Sequence, residues 1–341
     1  LVIVLVLSTI GIAYYGHNRA SAAFKGYPEK ERFFKIARGE TGYMIGKALE
    51  DEGIIENRTL FLIALRIRGE TERLQTGEYR FSKPLSTLEV ARRLVQGDIY
   101  TFAITMPEGL TVQETAEHVA ASGLSNKAAL ENSFRNTELS KDIAEHVKDL
   151  EGYLFPTTYQ FTRNATSEQI VNTMVNQFET IFNDEKRIKS KELGLTPHQV
   201  ITLASLVEKE TGAAEERPLV ASVFWNRLKL GMRLASDPTI IYALKIEGKY
   251  DGNLRRIHLK LDSPYNTYRV PGIPPGPIAS PGEDSIDAVL NPANTKYLFF
   301  VSKNDGTSHF STTYREHAKA VQKYQVEFFR KKRRPDGGNS S

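Results

Sequence analysis

The sequence predicts an α+β protein with a leading apolar helix, a small first module and a larger second one. Three observations carry this reading. Short strand candidates alternate with capped amphipathic helices through the first hundred residues. Helical patterns then dominate until Asn304-Asp305-Gly306, a hairpin signal between two strand candidates near the end. The first fifteen residues, LVIVLVLSTIGIAYY, carry no charge. The expected layout is an anchor over 1–16, a linker over 17–31, a small module over 32–105, a large module over 106–330 and a disordered tail over 331–341.

The leading run of fifteen residues spans roughly 22 Å as a helix, short of the ~30 Å hydrocarbon core. A chain opening on Leu1 rather than Met suits an anchor that begins upstream. The alternative is a cleaved signal peptide, since Ala20-Ser21-Ala22 has the small-residue pattern of a cleavage site. Either sends the remainder across a membrane. The linker is polar, with Gly26 and Pro28. Phe33 to Ile36 is the first strand candidate. Met44, Ile45, Ala48 and Leu49 stand at helical spacing between Gly42 and Glu52, and Gly53 stops that helix. Asn57 caps a second helix through Ile67. Glu78 to Phe81 is a strand after Gly77, and Ser86 with Glu89 forms a capping box for a third helix ending near Gly97.

Tyr100 to Met106 is the next strand, and Thr111 with Glu114 gives another capping box. GLTVQETAEHVAASGL resembles GETGYMIGKALEDEGII upstream, which suggests a duplicated small-module topology. At Glu151 the composition shifts to the aromatic EGYLFPTTYQFT. Helices are expected from Glu168 to Asn183 and from Pro197 to Glu210, strands over Lys296–Ser302 and Ser308–Thr312, and a last helix from Thr313 to Phe329.

Composition excludes several functions. The chain has 341 residues, 45 basic and 41 acidic, and no cysteine. The formal charge of +4 is too small to argue for nucleic acid, and its densest part is the terminal run Arg330 to Arg334. Absent Cys rules out disulfides and thiolate chemistry. The seven His are scattered with no HExxH, and no P-loop, Rossmann glycine pattern or GxSxG elbow occurs. No metal and no cofactor is expected.

TPHQVITLASLVEKET, residues 196–211, carries the chemistry. Thr196, Pro197 and Gln199 mark a helix start. Val200, Leu203, Ala204 and Val207 form an apolar stripe that Glu208 ends, whereas Glu210, about 200° round from Glu208, is expected to face elsewhere. A carboxyl at the edge of an apolar surface resists ionisation and can donate a proton to a leaving oxygen. The bland reading of Glu208 is a helix-end carboxylate in water or paired with an Arg. LASDPTIIYAL (234–244) carries Asp237-Pro238, and SPYNTYRVPGIPPGPIASPG (263–282) is a Pro-rich rigid loop, with Tyr265 and Tyr268 suited to stacking on sugar rings and Asn266 and Thr267 to polar contacts.

EGYLFPTTY (151–159), ASLVEKET (204–211), ASVFWNRLKLGMRLASDPTIIYAL (221–244), YNTYRVPGIPPGPIASPG (265–282) and NPANTKYLFFV (291–301) resemble the motifs of the YceG-like endolytic murein transglycosylases, in their order and spacing. The resemblance covers about residues 30–330. It implies a single-pass membrane helix, a LysM-like first module, and a catalytic domain outside the cytoplasm. It further implies cleavage within nascent peptidoglycan strands to leave 1,6-anhydro ends, alongside the peptidoglycan synthases. Glu208, the first Glu of VEKE, is the catalytic residue it implies. Glu151, Asn226, Asp237, Tyr265, Asn266 and Thr267 are the expected substrate-binding shell. One acid suffices, because the sugar's own C6 hydroxyl is the nucleophile. The competing readings are a non-catalytic peptidoglycan-binding scaffold and a muramidase-type hydrolase, for which Asp237 is the candidate second carboxylate.

Overall fold

A computed structural model of the chain describes residues 2–141 and 147–332. The chain divides into two compact units. One runs to Ala103 and takes in Gln160–Asn164; the other comprises Ile104–Tyr159 and the chain from Ala165 onward.

The first unit opens with α1 (Val2–Ser21). Val2 to Leu7, Ile10 and Ile12 of α1 are exposed. The charge-free run gives way within the same helix to Gly16, His17, Asn18 and Arg19. Among the described residues, no helix is long and apolar enough to cross a membrane. The expected 1–16 span is therefore not met by α1 alone. After α1 come β1 (Ala23–Phe24), β2 (Arg32–Ile36), α2 (Gly42–Asp51), α3 (Arg58–Arg68), β3 (Gly77–Phe81), β4 (Leu85–Ser86) and α4 (Thr87–Gln96). β2 and β3 pair antiparallel with Phe34 opposite Tyr79, and β1 pairs with β4. The sequence signals sit where the structure uses them. Asn57 Oδ1 accepts from the amides of Thr59 and Leu60, and Ser86 with Glu89 makes the full capping box. The alternating inward residues Phe34, Ile36, Tyr79 and Phe81 meet Leu49, Phe61, Leu65, Val90 and Leu94 in one buried core.

β5 (Phe102–Thr105) is shorter than the expected strand. The second unit continues with α5 (Val112–Ala121) and α6 (Lys127–Ser133). β6 (Thr158–Phe161) pairs with β5. Then follow α7 (Ser167–Ile181), α8 (Asp184–Glu192), α9 (Pro197–Glu210), α10 (Arg217–Lys229), α11 (Asp237–Ile246) and α12 (Glu283–Leu290). α9 packs against α8, α10, α11 and α12. Val200 to Val207 are buried without interruption, so α9 is enclosed on every side rather than along one stripe. β7 (Phe299–Ser302) and β8 (Ser308–Ser311) form the expected hairpin, with Asn304 in the left-handed region at φ 65°. The last expected helix divides into α13 (Tyr314–Val321), a π-helical segment (Gln322–Glu327) and α14 (Phe328–Lys332). The expected tail is thus helical at Lys331 and Lys332, and its other residues, 333–341, lie outside the described ones.

Candidate active site

The end of α9 is a place where two carboxyls of one helix meet different walls. Thr196 caps the start, with Gln199 completing the box and Pro197 at the first turn. Fourteen residues later the helix stops at Thr211, whose backbone is extended. Glu208 and Glu210 both fall in the last turn.

Glu208 sits in a cradle of donors. Its Oε2 accepts from the Gly282 amide at 3.0 Å and the Ser285 hydroxyl at 2.7 Å. Its Oε1 faces Arg217 Nη2 at 3.3 Å. Both side chains are nearly buried, at 7% and 9% exposed. The same guanidinium pairs with Glu108 at 2.9 Å and Asp284 at 3.0 Å. Glu108 also hydrogen-bonds Glu208, and burial together with the Glu208 charge pushes the Glu108 carboxyl up. One cation faces three carboxyls, and the crowding makes Glu108 harder to ionise. The apolar surround expected for Glu208 is therefore absent. The helix stripe continues past Val207, but Arg217, Gly282 and Ser285 arrive from remote parts of the chain to surround the carboxyl with donors.

Glu210 meets another wall. The Ser236 hydroxyl donates to its Oε1 at 2.6 Å. Burial pushes its carboxyl up to about 7; the Asp237 charge adds to the rise, while Ser236 and Arg227 oppose it. The residue keeps part of its surface exposed, so the proton it holds remains reachable. Its partners are built rigidly. Ser236 is 2% exposed, and its amide donates to Thr267 Oγ1 at 3.0 Å. The Ala235 amide donates to the Thr267 carbonyl at 3.1 Å. Ala235 adopts φ 48°, a left-handed conformation that costs a non-glycine residue about 1 kcal/mol or more. Thr267 thus holds a strained loop that aims Ser236 at Glu210. Asp237, exposed at the start of α11, accepts from the Tyr268 hydroxyl at 2.6 Å.

The expected shell separates into three groups. Asp237 and Thr267 gather around Glu210, Thr267 through the backbone it holds. Asn226 and Asn266 are committed to the fold. The Asn226 amide donates to the carbonyls of Thr295 and Tyr297, both at 3.0 Å. Asn266 is fully buried and donates to Leu259 and Leu261 at 3.1 and 2.7 Å. Glu151 and Tyr265 line a separate cavity of about 530 Å³ with Tyr242 and His198. Sequence reasoning missed Ser236, Arg227, Arg217, Glu108 and Ser285. Of these, Ser236 alone had a local signal, as the residue before Asp237-Pro238, which opens α11.

Comparison with known proteins follows the same chain segments. The model of the YceG-like family matches residues 34–323. A Bacillus subtilis (strain 168) protein named endolytic murein transglycosylase is 34% identical over 305 residues, covering 85% of this chain and 83% of the relative. A Streptococcus pneumoniae (strain D39) protein of the same name is 31% identical over 319 residues, and the match covers 84% of this chain but 57% of that longer relative. The crystal structure of a yceG-like protein from Listeria monocytogenes aligns with TM-score 0.59 at 30% identity, covering 86% of this chain and 99% of that one.

Proposed function

The chain belongs to the YceG-like family, and from that premise we propose that it cuts peptidoglycan strands with Glu210 as its proton-transfer group. The activity is that of a lytic transglycosylase on the glycan strands of peptidoglycan, as its relatives' names state for them. The observation that carries the choice of residue is the contrast at the end of α9. Glu208 is committed to Arg217, Ser285 and the Gly282 amide. Glu210 is held near its midpoint at neutral pH.

A general acid must carry its proton at the working pH and release it when the leaving oxygen develops charge. Glu210 meets the first condition through burial and the adjoining Asp237 charge. It meets the second because Ser236 donates to the carboxylate that remains. Glu210 then takes the C6 hydroxyl proton as that oxygen closes on the anomeric carbon. The bond formed is C1–O6, the bond broken is C1–O4, and the proton count balances without water. The Asp237 carboxylate, oriented by Tyr268, offsets positive charge on the ring during the transfer. Glu208 is reassigned to positioning, since its charge ties α9 to Arg217 on α10 and to Ser285 on α12.

Outside the second unit the reading is coarser. We place the activity outside the cytoplasm, where the strands lie, with the exposed apolar residues of α1 toward a membrane. The first unit, ordered strand, helix, helix, strand, suits a LysM-like module, with peptidoglycan synthases as partners of the protein.

The test is product analysis. Full-length protein incubated with purified glycan strands leaves anhydro-muramyl ends in the mass spectrum. Reducing ends would favour a hydrolase using Asp237, whose charge already acts on Glu210. Intact strands would favour a scaffold.

A further inference from the structure

The cavity behind the Tyr265 loop holds a buried acid that the proposed reaction does not use. Glu151 is 5% exposed and lines this space of about 530 Å³, within the range of small-ligand pockets. One oxygen accepts from the Val112 amide at 3.2 Å. Burial, with Asp149 nearby, holds the carboxyl well above the ordinary range. Tyr242 hydrogen-bonds Glu151, and Tyr265 hydrogen-bonds Tyr242, their rings 4.9 Å apart.

Pro275, Pro277 and Ile246 add apolar surface to the same lining. Two glycines set the shape. A Cβ on Gly152, at φ 86°, would meet Pro277 at 2.5 Å, and one on Gly276 would meet the Tyr265 hydroxyl at 3.3 Å. His198 is held on both sides: its Nε2 donates to the Pro275 carbonyl at 2.8 Å, and its Nδ1 lies 2.5 Å from the Tyr153 hydroxyl. Lys148 and Asp149 oppose one another in charge among the lining residues.

The wall therefore offers hydrogen-bonding tips of Glu151, Tyr242 and Tyr265 beside apolar surface. That pairing matches a secondary amide carrying a methyl group, which needs a donor, an acceptor and a dry contact at once. The place fits as well. Asp237 and Tyr242 stand five residues apart on α11, about 7.5 Å along the axis. Tyr268 touches Asp237 and Tyr265 touches Tyr242, so one loop and one helix connect the two places.

We infer that this cavity binds the acetamido group of a sugar unit beside the one being cut. The inference rests on the polysaccharide reading of the Glu210 site but names a different set of residues.

Binding of chitotetraose, and of cellotetraose, which replaces each acetamido group by a hydroxyl, is measured on the full chain by calorimetry. The intact protein prefers chitotetraose at least fivefold. Ile246→Trp fills the cavity from an exposed helix position and removes the preference. Tyr265→Phe reduces it about fivefold, the worth of one good hydrogen bond. No preference in the intact protein, or a preference both variants keep, overturns the inference. Strand cleavage is followed on the same samples. Cleavage without the preference retires the cavity and spares the reaction; a cavity-dependent preference without cleavage does the reverse.

Discussion

The Ser236 hydroxyl lies 2.6 Å from a carboxyl oxygen of Glu210 and donates to it. This bond favours the ionised form in a place where burial favours the neutral one. The carboxyl is consequently poised between its two states, as a group that must give a proton and recover one requires.

Replacing Glu210 by Gln keeps the shape and removes the proton. Strand cleavage falls 100-fold or more, the usual contribution of acid–base catalysis, with the fold kept. Glu208→Gln has the opposite character. It leaves Arg217 with one fewer anion in a nearly buried setting and lowers stability by about 2 kcal/mol. Activity at a temperature well below the melt is then largely retained. Turnover and thermal melts on both variants decide the matter, and full activity in Glu210→Gln would return the acid to Glu208.

The same carboxyl couples stability to pH. Its folded pKa of about 7 lies above the ordinary 4.5. A group raised in this way contributes its full stability below pH 4.5 and loses that contribution as pH rises through 7. Between those limits the cost amounts to about 3 kcal/mol. Glu210→Gln, which cannot ionise, escapes it. The variant should melt several degrees above the parent at pH 8 and level with it at pH 4. A parallel shift at both values would show that ionisation is not the cause.

Much of this arrangement was legible locally. Thr196, Pro197 and Gln199 announce the start of α9, and its end at Glu210 lies where the sequence puts it. The surroundings of the two glutamates were not legible. The donors to Glu208 come from positions 217, 282 and 285, and a periodicity within one helix holds no information about them. The stripe argument also assumed one wet face. α9 is walled by four helices, so the side of Glu210 that periodicity assigns away from Glu208 is another interior surface. Asn226 and Asn266 illustrate the same limit: short polar side chains near a candidate site read as ligands, yet their amides close loops.

Asn266 and Asn226 give a third expectation. Asn266→Ala leaves the carbonyls of Leu259 and Leu261 without their donor in a fully buried spot. Stability falls by about 1–3 kcal/mol. The loop bearing Tyr265 and Thr267 loosens, so kcat declines through geometry. Asn226→Ala also lowers the melting temperature, by releasing the strand that starts after Tyr297. It leaves KM for glycan strands unchanged, because its amide already faces the main chain. A raised KM at full stability would make Asn226 a substrate contact after all.

The acidic cluster beside Glu208 provides the last expectation. A Cβ on Gly282 would stand 2.0 Å from Glu108 Oε1, so Gly282→Ala must push Glu108 off Arg217. The displaced carboxyl moves to water, and its pKa returns toward the ordinary value. In the parent it is raised by burial and by Glu208, so the stability tied to its proton is complete at low pH and drains as pH rises through the raised value. Gly282→Ala is therefore less stable than the parent in acid, and the gap narrows toward alkaline pH. Melts across that range check the trend. Glu108→Gln provides the control. It keeps a side chain able to donate to Glu208 without a charge, so it holds the cluster together at every pH and melts above the parent only where Glu108 would ionise.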